Sequence, residues 1–235
     1  MRDSAAETAP VPAPEPPAVV IPPPGGAPPA IGVRVQLGRA DRAVYRAVAG
    51  FSTPALDRPL RTVSDLANHS KPWFAIAAGL AVFGGPQGRL AAISGLASIG
   101  LTSLTVNQPM KLARRRVRPD RIILGVPESR WVQMPTSTSF PSGHSASAAA
   151  FAVSVGYLLP GTRWPLRAAA ATVAFSRIYT GVHYPGDVLV GVATGAAIGA
   201  VTSRLAVRAA RRFATWRTAT AATRLGQADR NDRQR

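Results

Sequence analysis

Apolar runs constrain this chain more than any other feature. Trp73–Gly85, Leu90–Val106, Ala146–Leu159 and Val188–Ser203 carry no charged side chain, and Leu166–Phe175 carries only Arg167. Five such runs are too many for a soluble domain of 235 residues. A soluble Ala-rich bundle is the competing reading. Several runs fall short of the ~20 residues that a perpendicular span needs, and semi-polar flanks such as Ser145 narrow the gap. The expected fold class is therefore all-α, a polytopic membrane helix bundle of five to six helices. Gly191, Gly195 and Gly199 repeat every four residues in the last run, a spacing that lets helices approach closely in lipid.

Charge is scarce but one-sided. Charged residues make up 17% of the chain, and 28 Lys and Arg face 11 Asp and Glu, giving a formal charge of +17. An apolar body with basic flanks points to a bilayer and not to nucleic acid, for which the chain has no recognisable module. The absence of Cys excludes disulfides, thiolate metal sites and thiol catalysis, and three His are too few for a poly-His metal centre.

Three regions flank or precede the spans. Residues 1–36 form an expected disordered tail, because prolines crowd positions 10–29 and no core-forming pattern is present. The tail lacks a basic start followed by an apolar stretch, so it does not read as a signal peptide. Residues 37–67 alternate apolar and charged side chains and are expected as two or three interfacial helices divided at Pro54 and Pro59. The expected membrane domain runs over 37–207, with spans near 73–85, 90–106, 146–159, 166–175 and 188–203. A basic tail over 208–235 follows it.

The chemical residues gather in two loops, 107–144 and 176–187, which serpentine threading puts on one face. Lys111 and Arg118, just before Pro119, can supply a point charge and a planar fork for phosphate. Pro141-Ser142-Gly143-His144 precedes the third span, where free N–H groups and the helix dipole favour an anion; His144 can pass a proton there. Ser176-Arg177 adds another fork. His183 and Asp187 lie four apart, so that the carboxylate can orient the imidazole. The blander readings are snorkelling cations, a Ser N-cap and a helix-start acid. Six ionisable groups on one face of a charge-poor body make those readings fail together.

The order K-x6-R-P, P-S-G-H, S-R-x5-H-x3-D resembles the type 2 phosphatidic acid phosphatase family, which shares its site with class A acid phosphatases and vanadium haloperoxidases. Lys111, Arg118, Pro119, Pro141, Ser142, Gly143, His144, Ser176, Arg177, His183 and Asp187 carry the resemblance, over roughly residues 40–205. It implies an acid phosphatase/vanadium haloperoxidase-like core and metal-free hydrolysis of a lipid phosphate monoester or diphosphate, with no cofactor. It also implies that His183 attacks phosphorus, His144 acts as acid and then base, and Asp187 orients His183. Lys111, Arg118, Ser142, Gly143 and Arg177 would hold the phosphoryl oxygens. Candidate substrates are polyprenyl phosphate or diphosphate, a phosphorylated polyprenyl sugar, phosphatidate and phosphatidylglycerol phosphate, with selectivity expected in the span side chains and in loop 120–139, including Trp131. The rival readings are a vanadate-dependent oxidase and a non-enzymatic phospholipid transporter or scramblase with a phosphate site. His69 has no counterpart in the motifs and reads as structural or exposed. Arg204, Arg208, Arg211 and Arg212 after the last run favour a cytoplasmic C-terminus. The expected location is the bacterial inner (plasma) membrane with the active site facing outward; the oligomeric state stays open.

Overall fold

The computed structural model describes residues 33–113 and 115–232, and the described residues are helices and loops without strands. The Pro-rich stretch before Val33 lies outside them. Eight helices follow in order: α1 Val33–Gly50, α2 Pro54–Leu66, α3 Lys71–Phe83, α4 Gly85–Thr105, α5 Lys111–Ala113, α6 Gly143–Leu158, α7 Arg163–Tyr179 and α8 Pro185–Asp232.

Pro54 starts α2 at a position where its missing N–H costs nothing. Pro59 was expected as a second break, yet it sits inside α2. Losing one backbone bond there is outweighed by the packing of the helix face that buries Asp57, Leu60 and Ser64. The five apolar runs all fall within helices or their end turns. Among the described residues, only α8, over Pro185–Thr218, is both long and apolar enough to cross a membrane by itself. At ~1.5 Å per residue, the 13 residues of α3 reach only ~20 Å, whereas α4, with 21 residues, is long enough but diluted by Gly, Ser and Arg89. The basic stretch after the last run continues the helix to Asp232.

The core forms around α6. Ala148, Phe151, Ala152 and Val155 of α6 pack with Ala91, Ala92 and Ile99 of α4, Trp73 and Ala77 of α3, and Leu166, Ala170 and Val173 of α7. Trp73 and Phe151 meet with ring centroids 5.4 Å apart. Small residues set how closely the helices approach. A Cβ added at Gly191, Gly195 or Gly199 would lie well under 3 Å from the carbonyl oxygens of Ser142, Ala146 and Ala150 respectively. The four-residue glycine spacing therefore acts as expected: α8 lies directly on the α6 backbone, and their N-termini are held side by side. The Ser142 N–H donates to the Asp187 carbonyl at 2.9 Å, which ties the two helix starts together.

The long connection from Arg115 to Ser142 has little regular structure, so side chains must anchor it. Arg130, 2% exposed, does most of this. Its guanidinium donates to Asp57 of α2 at 2.9 Å and to the carbonyls of Val48, Ala49 and Phe51 at the end of α1, and lies 4.2 Å over the Tyr179 ring. A single buried cation thus satisfies the exposed carbonyl end of α1 and fixes α1, α2 and α7 to the loop.

Candidate active site

The two motif-bearing loops meet over the N-termini of α6 and α8. They enclose a cavity of about 410 Å3 whose wall includes Lys111, Arg118, Gly143, His144 and His183. The remaining wall is mixed: Ala67, Phe74 and Ile99 are apolar, while His69, Ser70, Ser103, Ser137 and Ser147 are polar.

Three of the expected residues stand behind that wall. Ser142 is fully buried and caps α6: its hydroxyl accepts from the Ser145 N–H and meets the Ser145 hydroxyl at 2.9 Å. Arg177, 1% exposed, donates from Nη1 to the Ser64 hydroxyl at 2.6 Å and to the Ser64 carbonyl at 3.2 Å. Its Nε is buried without a hydrogen-bond partner among the described residues. Asp187 is fully buried at the third position of α8, where Oδ2 accepts the Tyr184 N–H, the return half of a capping box. The helix-start reading of Asp187 is thus realised in the fold.

His183 sits between opposite charges. Its Nδ1 faces Asp187 Oδ2 at 3.8 Å, an ion-pair separation too long for a hydrogen bond, and this nitrogen has no hydrogen-bond partner among the described residues. Its Nε2 faces Arg118 Nη1 at 3.2 Å. Burial, with Arg118 and Arg177 nearby, pulls the ring's pKa down to about 4 against the opposing effect of Asp187, so His183 is neutral near pH 7. The neutral ring keeps one lone pair, and on Nε2 that lone pair faces the Arg118 N–H.

The cations are held in defined positions. Arg118 donates from Nε to the Ser137 carbonyl and from Nη1 to the Val182 carbonyl, both at 2.8 Å, which binds the first motif loop to the third. Burial lowers its pKa to about 10, still charged at neutral pH. Lys111 donates to the Ser137 hydroxyl at 2.9 Å; burial and the Arg118 charge hold its ammonium below the ordinary lysine value. Among the described residues neither cation has a carboxylate within ion-pair distance, which leaves attraction for an anion.

Several contributors were not singled out from the motifs. Arg116 joins Asp187 to Asp41 of α1, and Ser139 donates to Asp187 at 2.5 Å. Asn68, in the turn before α3, meets His144 Nε2 at 2.9 Å. Ser64 holds Arg177. Their signal in the sequence is weak, since Ser, Asn and single charges recur throughout the chain. Trp131, expected to help select substrate, instead packs with Tyr45 and Val126 and donates to the Val126 carbonyl, away from the cavity. Pro135 and Ser137 are the residues of its loop that reach the wall. His69 is exposed on the cavity rim.

A model of the PAP2 superfamily matches residues 91–211, a stretch that contains every motif residue. The chain belongs to the PAP2 superfamily. Decaprenylphosphoryl-5-phosphoribose phosphatase of Mycobacterium tuberculosis is 32% identical over 169 residues, covering 69% of this chain and 90% of that one. Lipid A 1-phosphatase of Rhizobium johnstonii is 40% identical over 65 residues, 28% of this chain and 27% of its own. Among solved structures, the transmembrane PAP2 type phosphatidylglycerolphosphate phosphatase from Bacillus subtilis matches with a TM-score of 0.60 and 27% identity, covering 76% of this chain and 90% of that one. This PAP2 chain shares the all-helical membrane phosphatase fold, and with α8 it is membrane-associated.

Proposed function

We propose that this chain hydrolyses a lipid phosphate monoester or diphosphate at the cavity between the two motif loops, through a phosphohistidine. The observation that carries the reading is the placement of a neutral His183 beside Arg118, with Lys111 and His144 on the same wall. Phosphoryl transfer needs little covalent help from a protein; it needs charge stabilisation and alignment. Arg118, Lys111 and Arg177 supply positive charge, and the Gly143 backbone and the Ser142 cap supply the start of α6. His183 attacks phosphorus through Nε2, the nitrogen turned away from Asp187, and the ester oxygen leaves with a proton from His144. His144 then takes a proton from water, which attacks phosphorus and frees His183 and inorganic phosphate. Asp187 favours the positive charge that develops on His183 during attack. The incoming phosphoryl oxygens take the Arg118 donor that faces Nε2.

Phe74 and Ile99 on the same wall favour a substrate with an apolar chain beside its phosphate. A polyprenyl phosphate carrying a phosphorylated sugar is the substrate class best supported, since a relative matched over 69% of this chain is named for one. The phosphatase domain runs over 37–207, and the bilayer is its other partner. Arg204, Arg208, Arg211 and Arg212 after the apolar part of α8 support a cytoplasmic C-terminus, which puts the cavity on the outer face of a bacterial inner membrane. Detergent-solubilised protein assayed for inorganic phosphate release from a panel of polyprenyl phosphates, phosphatidate and phosphatidylglycerol phosphate tests this reading. Release from none of them rejects it.

A further inference from the structure

Each of the two imidazoles has a polar side chain facing its far nitrogen, and the two side chains differ in kind. His183 faces a carboxylate, whereas His144 Nε2 meets the side-chain oxygen of Asn68 at 2.9 Å. Asn68 opens the turn Asn68–Ser70 between α2 and α3, outside the stretch matched by the family. The next two residues, His69 (φ 57°) and Ser70 (φ 59°), are both left-handed without being glycine. Such conformations persist only where the surroundings over-determine them. Here the turn packs against the start of α6, and His69 and Ser70 border the cavity.

We infer that Asn68 is the positioning residue of the general acid: its amide oxygen accepts the Nε2–H of His144, so that Nδ1 is the atom that gives a proton to the leaving oxygen and recovers one from water. This rests on the reading of His144 proposed above. The chemistry of the partner fits the task. With Nε2–H held by Asn68, the neutral ring has its lone pair on Nδ1, the base that activates water. With both nitrogens protonated, Nδ1–H is the acid. Burial and the positive charge of Arg177, Lys111 and Arg118 pull His144 well below the ordinary imidazole value, so its acid form depends on the phosphate that offsets those cations; a neutral amide fixes the ring without adding a charge, whereas a carboxylate at position 68 would raise its pKa. The charged and titratable groups around His144 are Lys111 of α5, Arg118 of the loop, Arg177 of α7 and His183 before α8, with His69 on the cavity rim. None of these groups is anionic, so an acid at position 68 would add a negative charge to surroundings that are otherwise cationic or neutral among the described residues.

Leaving-group dependence tests the inference. Wild type and Asn68→Ala are assayed on dodecyl phosphate and on p-nitrophenyl phosphate, whose leaving group departs without a proton. Asn68→Ala is expected to lose on the order of 10-fold more rate on dodecyl phosphate than on p-nitrophenyl phosphate, because acid catalysis matters only for the poor leaving group. Equal losses on both, or none on either, overturn the inference. Asn68→Asp, close in size, is expected to move the alkaline limb of kcat on dodecyl phosphate to higher pH; a purely structural role leaves that limb in place and also overturns it. Should Asn68→Ala fail to fold, the Asn68→Asp limb decides. Acid quench of wild type separates the two levels. Absence of a phosphoenzyme rejects the parent mechanism, while a phosphoenzyme without the leaving-group effect rejects Asn68 alone.

Discussion

Arg116 and Asp187 form an ion pair at 2.8 Å, and the other arm of the same guanidinium reaches Asp41 of α1 at 2.5 Å. Asp41 also accepts the Gly186 N–H at 2.6 Å, and Arg116 lies 4.0 Å over the Tyr184 ring. The carboxylate behind His183 is therefore held from three sides: by Arg116, by Ser139 and by the backbone of Tyr184. An isolated buried carboxylate would be protonated or would swing away. Burial acts against the charge on Arg116, yet its two carboxylate partners hold its pKa above the ordinary arginine value.

Arg116→Ala is expected to lower both stability and kcat. Asp187 is fully buried and Arg116 about a quarter exposed, which places the pair between surface and buried ion pairs, on the order of 2 kcal/mol. The drop in kcat is expected at roughly 10-fold, since the imidazole loses orientation but keeps its lone pair. Thermal unfolding in detergent and steady-state rates measure the two effects. Asp41→Asn, which weakens the same bridge from α1, is expected to shift both in the same direction by less. Unchanged kinetics in Arg116→Ala would show that Ser139 and Tyr184 hold Asp187 unaided.

The close packing of α6 on α8 predicts a stability difference between two glycines. A Cβ at Gly195 runs into the Ala146 carbonyl, which as backbone cannot move aside cheaply, whereas a Cβ at Gly100 meets nothing within 4 Å. Gly195→Ala is expected to destabilise by roughly 1–3 kcal/mol. Gly100→Ala, in a helix and unobstructed, is expected to be neutral or slightly stabilising. Melting temperatures in one detergent compare them directly. A Gly195→Ala protein as stable as wild type would mean that α8 sits further from α6.

The parts of this molecule that sequence made visible are those with a period or a rigid motif. Apolar runs fall in α3, α4, α6, α7 and α8, the spacing of Gly191, Gly195 and Gly199 marked a close helix approach without naming its partner, and some residues of the motifs line the cavity. What stayed hidden depends on contacts made across the chain. Arg116 sits among four consecutive basic or apolar neighbours and looks no different from Arg115 until Asp41, 75 residues earlier, folds onto it. Arg130 is the same case: a charged loop residue that proves 2% exposed because α1 needs its carbonyls satisfied. Asn68 has no periodicity and no motif, and only the turn geometry brings it to His144. Pro59 misled because proline weakens a helix locally, while packing decides whether the helix survives.

Arg118→Lys is expected to behave as a loss of function, not a conservative change. The guanidinium uses Nε for the Ser137 carbonyl and Nη1 for both the Val182 carbonyl and the approach to His183. An ammonium is a point charge and cannot span those positions. The expected fall in kcat/KM is about 10-fold or more, by comparison with removal of one anion-stabilising donor. Arg115→Lys is the control: Arg115 is exposed and borders a different groove, with Val44 and Leu189. Equal effects at the two positions would mean that the segment works as a general basic patch.

His183 as a metal-independent nucleophile makes the most exposed claim. Buried and held near pKa 4, the ring is unprotonated at one nitrogen at neutral pH and keeps a lone pair there. Protonation removes that lone pair only as the pH falls towards that value. In the free protein, nitrogen-15 spectra of labelled histidine are therefore expected to show a neutral His183 at pH 6. No three His, Asp or Glu side chains come together among the described residues in a way that could hold an ion, so EDTA is expected to leave turnover unchanged. Vanadate is expected to inhibit, since its five-coordinate form resembles the phosphoryl transition state. His183→Ala should abolish turnover while Lys111, Arg118 and Arg177 keep affinity for phosphate. His144→Ala should still form the phosphoenzyme from p-nitrophenyl phosphate, because that leaving group needs no proton. Asp187→Asn should slow the reaction without stopping it. Acid quench with phosphorus-labelled substrate decides the matter: an acid-labile, base-stable phosphate is expected on wild type and absent from His183→Ala. Full activity of His183→Ala, or an absolute need for a divalent cation, would falsify the mechanism.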